Sequence, residues 1–176
     1  MTKHTGTEEI MSEVLDEIVY YNSLSYKFND FIDLPELFDG VIYLLCVEKH
    51  PAIPEKKWVP SYSFDICMDE KTTGNINLRI GYTDRLYYGG HIGYSINEEY
   101  RGNGYAARAC RLLIPVIKAH EMKKVLITTN HTNKASMRVC EKLGARHLRV
   151  AQLPQWHDLY EEGQRFQNIY EWDIEQ

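Results

Sequence analysis

The chain has 176 residues, 44% of them hydrophobic, and a formal net charge of −5, which suits one domain with a sizeable core and argues against a nucleic-acid-binding surface, since that needs clustered Lys and Arg. Its apolar runs fall short of the ~20 residues of a bilayer span, and the polar, acidic start MTKHTGTEEIMSEVLDEI is neither a signal nor a transit peptide, so a cytoplasmic protein with no membrane or nucleic-acid partner is expected. The four cysteines (Cys46, Cys67, Cys110, Cys140) and seven histidines are scattered without metal-ligand or redox spacing, which predicts buried free thiols and no metal.

Residues 1–6 read as a loose tail. From Thr7, the spacing of Ile10, Met11, Val14, Leu15, Ile18 and Val19 predicts one face of a helix running to about Tyr21. FIDLPELFDG is turn-rich, VIYLLCVE reads as a buried strand, and KHPAIPEKKWVP, with three prolines, as a loop. SYSFDICMD and TGNINLRIGY alternate as a hairpin, and YGGHIGYSIN is the next strand, with Ile92, Tyr94 and Ile96 on one face. A helix follows, striped by Ala106, Ala109, Cys110, Leu113 and Ile117 and bent at Pro115. KVLITT is a buried strand, and NKASMRVCEKLGA a helix with Asn133 near its N-cap and Gly144 past its end. RHLRVAQL and RFQNIYEWDI close the chain as strands. The order predicts an α/β domain with a sheet of parallel and antiparallel pairs.

Between the last of the four strands and the striped helix lies YRGNGYAARA. Gly102 and Gly104 can take positive φ, the first helical turn has unpaired N–H groups and a partial positive charge, and Arg101 adds a cation, so the segment can hold an anion. A purely structural bend would use similar residues. Gly102, Gly104 and Ala107 also fit the GxGxxA of a dinucleotide site, but NEEYR separates the strand from the first glycine, and KVLITTN ends without the carboxylate that would hold a ribose. No Gly-Lys-Ser/Thr of a P-loop follows.

Arg101, Gly104 and Ala106, with Ile96 five residues earlier, resemble the first motif of the GNAT superfamily of acetyl-CoA-dependent N-acetyltransferases, and Asn133, Ser136, Glu141, Lys142 and Gly144 resemble its second. The likeness covers about residues 87–151, and GQRFQNIYEWDI is similar to the last strand of the ribosomal-protein-type and small-molecule branches. The resemblance implies a single GNAT-like domain over 1–176, with two central parallel strands, HIGYSI and KVLITT, splayed apart and helices on both sheet faces. It implies acetyl-CoA as acyl donor, its pyrophosphate on the N–H groups of Gly102, Asn103, Gly104, Tyr105 and Ala106 beside Arg101. Its pantetheine arm would run beside the strand Gly93 to Ile96, held by Tyr94, Ser95 and Ile96, with Asn133 and Ser136 reaching the arm or the sulfur. The acceptor would be a primary amine of a small molecule or a peptide N-terminus, attacking the thioester directly in a ternary complex.

The amine must lose a proton, the developing oxyanion needs an N–H, and the leaving thiolate a hydroxyl. His91 stands close to where some relatives carry a glutamate base, and Ser136 is the expected sulfur-side donor. Cys140 replaces the tyrosine acid of many relatives and reads as a core thiol. Glu161 with Glu162, and His157 with Asp158, are weaker acceptor-side candidates, and Trp58, Tyr62, Tyr87 and Tyr88 are aromatics that shape that side or join the core. The front of the chain departs from the family: a helix comes first, and residues 49–60 replace the helices that usually wall the acceptor. A homodimer is compatible with the fold. Two alternatives stay open: a sensor of the same fold that binds acetyl-CoA without turnover, and a dinucleotide-dependent enzyme.

Overall fold

Hydrophobic alternation sets the first half of the molecule. The computed structural model describes residues 4–176; β1 (Tyr43–His50), β2 (Ser61–Met68), β3 (Lys71–Arg79) and β4 (Ile92–Ile96) make one antiparallel sheet in that order. Tyr62, Phe64, Ile66, Ile76, Leu78 and Ile92 face the core and are at most 2% exposed. The period of two puts Ser61, Ser63, Asn75, Asn77 and Arg79 on the opposite, polar face. Ser61 pairs with Arg79, Ser63 with Asn77, and Asn77 with Gly93. A second antiparallel sheet, ordered β5-β7-β6, holds β5 (Lys124–Asn130), β6 (Arg146–Gln152) and β7 (Phe166–Asp173).

The two sheets meet at β4 and β5, the strands expected to splay. Their junction is short: the His91 N–H donates to the Leu126 carbonyl at 2.7 Å, and beyond it no ladder joins the strands. Gly90, at φ 76°, lies against β5 so closely that a Cβ there would stand 3.0 Å from the Thr128 nitrogen, which only glycine tolerates.

The helices depart from the expectations in three places. First, α1 (His4–Asn22) begins inside the segment read as a tail, and residues 1–3 lie outside the described residues. It buries Ile18 and Tyr21 but exposes Ile10, Met11, Leu15 and Val19. Polar ties fix its rotation instead: Glu17 accepts from Arg149 at 2.7 Å and from the Tyr87 hydroxyl, and Tyr21 donates to Glu171. Second, α2 (Asp84–Gly89) forms in residues that no expected element covered and takes Tyr88 and Gly89 from the start of the expected strand; it is capped by Thr83, whose hydroxyl accepts from the Leu86 N–H. Third, Pro115 divides its helix into α3 (Tyr105–Leu112) and α4 (Ile114–Ala119) rather than bending it. Pro115 falls in the first turn of α4, where a missing N–H removes no helical bond. Leu113, Val116 and Ile117 stay fully buried across the break.

The α5 helix (Lys134–Leu143) follows its expectation, with the Asn133 side chain accepting from the Ser136 N–H at 3.1 Å and Gly144 left-handed at φ 73°. A final short helix, α6 (Asp158–Glu161), forms in the segment read as a loop. Residues 23–42 lack regular structure yet are pinned. The His120 Nδ1–H donates to the Lys27 carbonyl, its Nε2 accepts from the Tyr62 hydroxyl, and that hydroxyl accepts from the Ile32 N–H. No helix among the described residues is long and apolar enough to cross a membrane.

Candidate active site

The glycine turn leads into α3 as the sequence anticipates. Gly102 (φ 83°) and Gly104 (φ 75°) are both left-handed, and a Cβ on either would meet nothing within 4 Å. The space beside the backbone is therefore open. Gly104 caps α3 without a side chain, so the first helical N–H groups, Tyr105 and Ala106 included, face outward. The N–H groups of Gly102, Asn103 and Gly104 meet no acceptor among the described residues. Ala106 and Ala107 are buried and small, letting α3 lie close to β4. This cluster of unpaired amides at a positive helix end suits a diphosphate. Arg101 is exposed, and its Nε donates to the Ile96 carbonyl at 3.0 Å, so only part of its guanidinium is free for a ligand. The Asn103 side chain is tied back to the Tyr100 carbonyl, leaving its backbone as the available contact.

Beside Gly104 runs a groove of about 440 Å³ lined by Arg108, Arg111 and Lys142. Arg108 pairs with Asp39 at 2.8 Å, and Arg111 donates to the Lys142 carbonyl. These cations were missed in the sequence, although the spacing of Arg108 and Arg111 puts them on one helical face.

Further along, β4 turns alternate residues to opposite sides. The ladder to β3 engages its odd positions, as in the Asn97 N–H donated to the Thr73 carbonyl at 2.8 Å. The N–H and C=O of Tyr94 and Ile96 therefore point into the split toward β5. The Tyr94 hydroxyl crosses to α5 and lies 2.6 Å from the Ser136 Oγ. Burial pushes the Tyr94 hydroxyl well above its usual range, so it stays protonated and able to donate. The structure thus joins two residues that the sequence singled out separately. Asn133 caps the helix that carries Ser136, and Ser95 is exposed on the opposite side of β4. Cys140 is fully buried, and burial raises its thiol to about 12; it is an inert core residue.

His91 has a different place from the one expected of a base. It is fully buried, its Nε2–H donates to the Gly81 carbonyl at 2.8 Å, and its Nδ1 accepts from the Leu126 N–H at 2.8 Å. Burial drops the imidazole to about 4. Neither ring nitrogen is left for a substrate proton; the ring bridges β4 and β5 where their split begins.

On the polar face of the first sheet lies a cavity of about 450 Å³. Its floor is His50, Ser61, Ser63, Asn77 and Arg79; Trp58 and the loop before β2 wall one side, and α2 with His157, Asp158 and Glu162 the other. The His157 ring is spent on backbone, donating to the Arg85 carbonyl and accepting from the Leu159 N–H. Asp158 pairs with Arg85, which holds its carboxyl below the usual range. His50 is half-buried and engages side chains rather than backbone, with Nε2 3.2 Å from the Ser63 Oγ and Nδ1 3.5 Å from the Glu48 carboxylate. Glu161 is exposed outside the cavity lining, and Tyr62, Tyr87 and Tyr88 are core residues. The sequence signal for the floor was present in the polar half of the alternation in β2 and β3, beside the apolar half that was read.

Residues 47–146 match the family model described as an acetyltransferase (GNAT) domain. A comparison with curated protein sequences gave no match. Among solved structures, the chain superposes on RimL, a ribosomal alpha-N-protein acetyltransferase in complex with coenzyme A, with a TM-score of 0.58 and 11% identity, over 80% of this chain and 98% of that one. A GNAT-family acetyltransferase from Bacillus anthracis gives 0.52 at 23% identity, over 65% and 67%. A probable acetyltransferase gives 0.50 at 24%, over 63% of this chain and only 60% of that chain's length. These likenesses establish the shared fold.

Proposed function

The chain belongs to the GNAT acetyltransferase family, whose members use acetyl-CoA, and on that premise we propose that it transfers the acetyl group to a primary amine of a small molecule or peptide N-terminus, by direct attack in a ternary complex. The observation that carries this reading is the pair of complementary sites on either side of β4. Unpaired amides at Gly102–Gly104 stand on the helix side, and a polar cavity floored by Asn77 and Arg79 on the other.

In this reading the N–H groups of Gly102, Asn103, Gly104, Tyr105 and Ala106, with Arg101, hold the diphosphate, and the edge of β4 from Tyr94 to Ile96 aligns the pantetheine arm. Acetyl-CoA supplies the activated thioester. The Tyr94 N–H, turned into the split, offers a donor to the acetyl oxygen as charge develops there. One hydroxyl of the hydrogen-bonded Tyr94–Ser136 pair donates to the departing sulfur while the other donates to its partner, and Asn133 steadies the helix turn that carries Ser136. His50, hydrogen-bonded to Ser63 on the cavity floor, takes over the proton-accepting role first read at His91. Holding both reactants at the split supplies much of the remaining rate.

The test mixes the protein with acetyl-CoA and a panel of amines and follows free thiol. Amine-dependent thiol release is expected, with His50→Gln lowering kcat at least tenfold at neutral pH. Binding of acetyl-CoA with no thiol release across the panel would replace the transferase by a coenzyme-binding sensor.

A further inference from the structure

The cavity floor holds two side chains whose hydrogen-bonding capacity the protein leaves unmet. The Asn77 Oδ1 is buried and has no partner. No carboxylate among the described residues lies in ion-pair range of Arg79; its one side-chain hydrogen bond runs from Nη1 to the Gly90 carbonyl at 3.0 Å. Burial lowers the Arg79 proton affinity, a sign of a cation taken from water without a counter-charge. Leaving such groups unpaired costs a fold stability, and both line the same cavity.

Their placement is directional. Asn77 and Arg79 are two residues apart on β3, about 7 Å along one face. Asn77 pairs with Gly93 on β4, where a Cβ would press within 3.3 Å of the Asn77 amide; the missing side chain lets that amide lie across β4. Arg79 is one step further from the mouth of the split. The other charges around the cavity do not neutralise it. Asp158 is committed to Arg85, Glu162 stands exposed on the far wall, and Lys57 adds a further cation at the rim.

We propose that the acceptor is a small primary amine that carries an anionic oxygen group, a carboxylate or a phosphate, with the amine hydrogen-bonded to the Asn77 Oδ1 and the anion held by the Arg79 guanidinium. This deepens the acetyltransferase reading above and rests on it. The planar fork of an arginine matches either anion, and in a half-buried site such a pair is stronger than at an open surface. Amine nitrogen and thioester then approach at Gly93 and Tyr94, while the anion is anchored away from the reaction.

The experiment compares matched acceptors that differ in the anion: 4-aminobutyrate against n-propylamine, leucine against isoamylamine, and 3-aminopropyl phosphate against 3-aminopropanol. Initial rates are read as thiol release, and melting temperatures of the coenzyme A-loaded protein with each compound. At least one anionic member is expected to exceed its neutral partner tenfold or more in kcat/KM, chiefly through KM. Which pair shows it distinguishes carboxylate from phosphate. Arg79→Gln should bring that ratio below threefold, and Arg79→Lys should retain part of it. Neutral amines turned over as well as or better than their anionic partners would overturn the inference and leave acetyl transfer standing. So would an Arg79→Gln protein that keeps the wild-type ratio. Arg79-dependent stabilisation by the anionic amines with no thiol release would uphold the anion site and sink the transferase reading; no stabilisation and no turnover by any anionic member overturns the inference.

Discussion

At His91 an ionisable ring serves as a piece of backbone. Its two nitrogens join the Gly81 carbonyl to the Leu126 N–H, which no strand neighbour can do where β4 and β5 part. Folding holds the imidazole near 4 by burial, against about 6.5 for an unperturbed histidine. The unfolded chain therefore takes up this proton more readily. The contribution of His91 is complete above about pH 6.5 and is lost as pH falls toward 4, roughly 3 kcal/mol in all at 1.4 kcal/mol per unit. Urea unfolding should show wild type losing about 2 kcal/mol from this group between pH 7 and 5. His91→Leu should be destabilised by at least about 2 kcal/mol at pH 7 and lack that part of the slope. Equal slopes in the two proteins would remove His91 as the source. The residue type was legible in the sequence, but its role was not, because a histidine at a strand start reads alike whether its ring faces substrate or two amides. Cys140 was readable as a core thiol since its helical position alone placed it inward. Asn77 and Arg79 went unread because their meaning depends on the absence of partners, which only three dimensions reveal.

For the elements, local signals worked where the backbone itself demands a residue type. Gly104 must be left-handed to start α3 without a side-chain cap, and Asn133 and Gly144 bracket α5 by ordinary capping. Gly104→Val separates binding from folding. A Cβ there meets nothing within 4 Å, so the fold bears only the cost of a left-handed β-branched residue, about 1–2 kcal/mol. The added side chain occupies the open space beside the amides. Calorimetry should show acetyl-CoA affinity reduced at least tenfold while the melt falls by only a few degrees; unchanged affinity would mean the diphosphate lies elsewhere. Local signals failed at α2, whose cap Thr83 stands outside the alternating stretch, and at Pro115, where apolar periodicity runs on through Leu113 although the helix does not.

Across the whole molecule, α1 fastens the second sheet to the cavity wall. Glu17 holds Arg149 of β6 and the buried Tyr87 hydroxyl of α2, and Tyr21 reaches Glu171 of β7. Burial alone would raise the Glu171 carboxyl, but hydrogen bonds from Tyr21, Arg146 and Lys124 together outweigh it and keep it charged. Glu17→Ala strands the Tyr87 hydroxyl and should lower stability by about 1–3 kcal/mol. Glu13→Ala, at an exposed partner of the same arginine, should cost under about 1 kcal/mol; thermal melts that rank the two variants equally would refute this division. The sequence showed the apolar stripe of α1 and pointed to the wrong face, because the ion pairs that orient the helix join residues more than 130 positions apart. Each sheet is an antiparallel ladder, with register shifts at Cys46/Glu48, Ile66/Cys67 and His147/Arg149, whereas the two sheets share a single main-chain bond where β4 meets β5, from the His91 N–H to the Leu126 carbonyl. A small rotation there is levered along the five residues of β4, roughly 17 Å. Any change of angle at that joint is thus magnified at the far end of β4, toward the glycine turn.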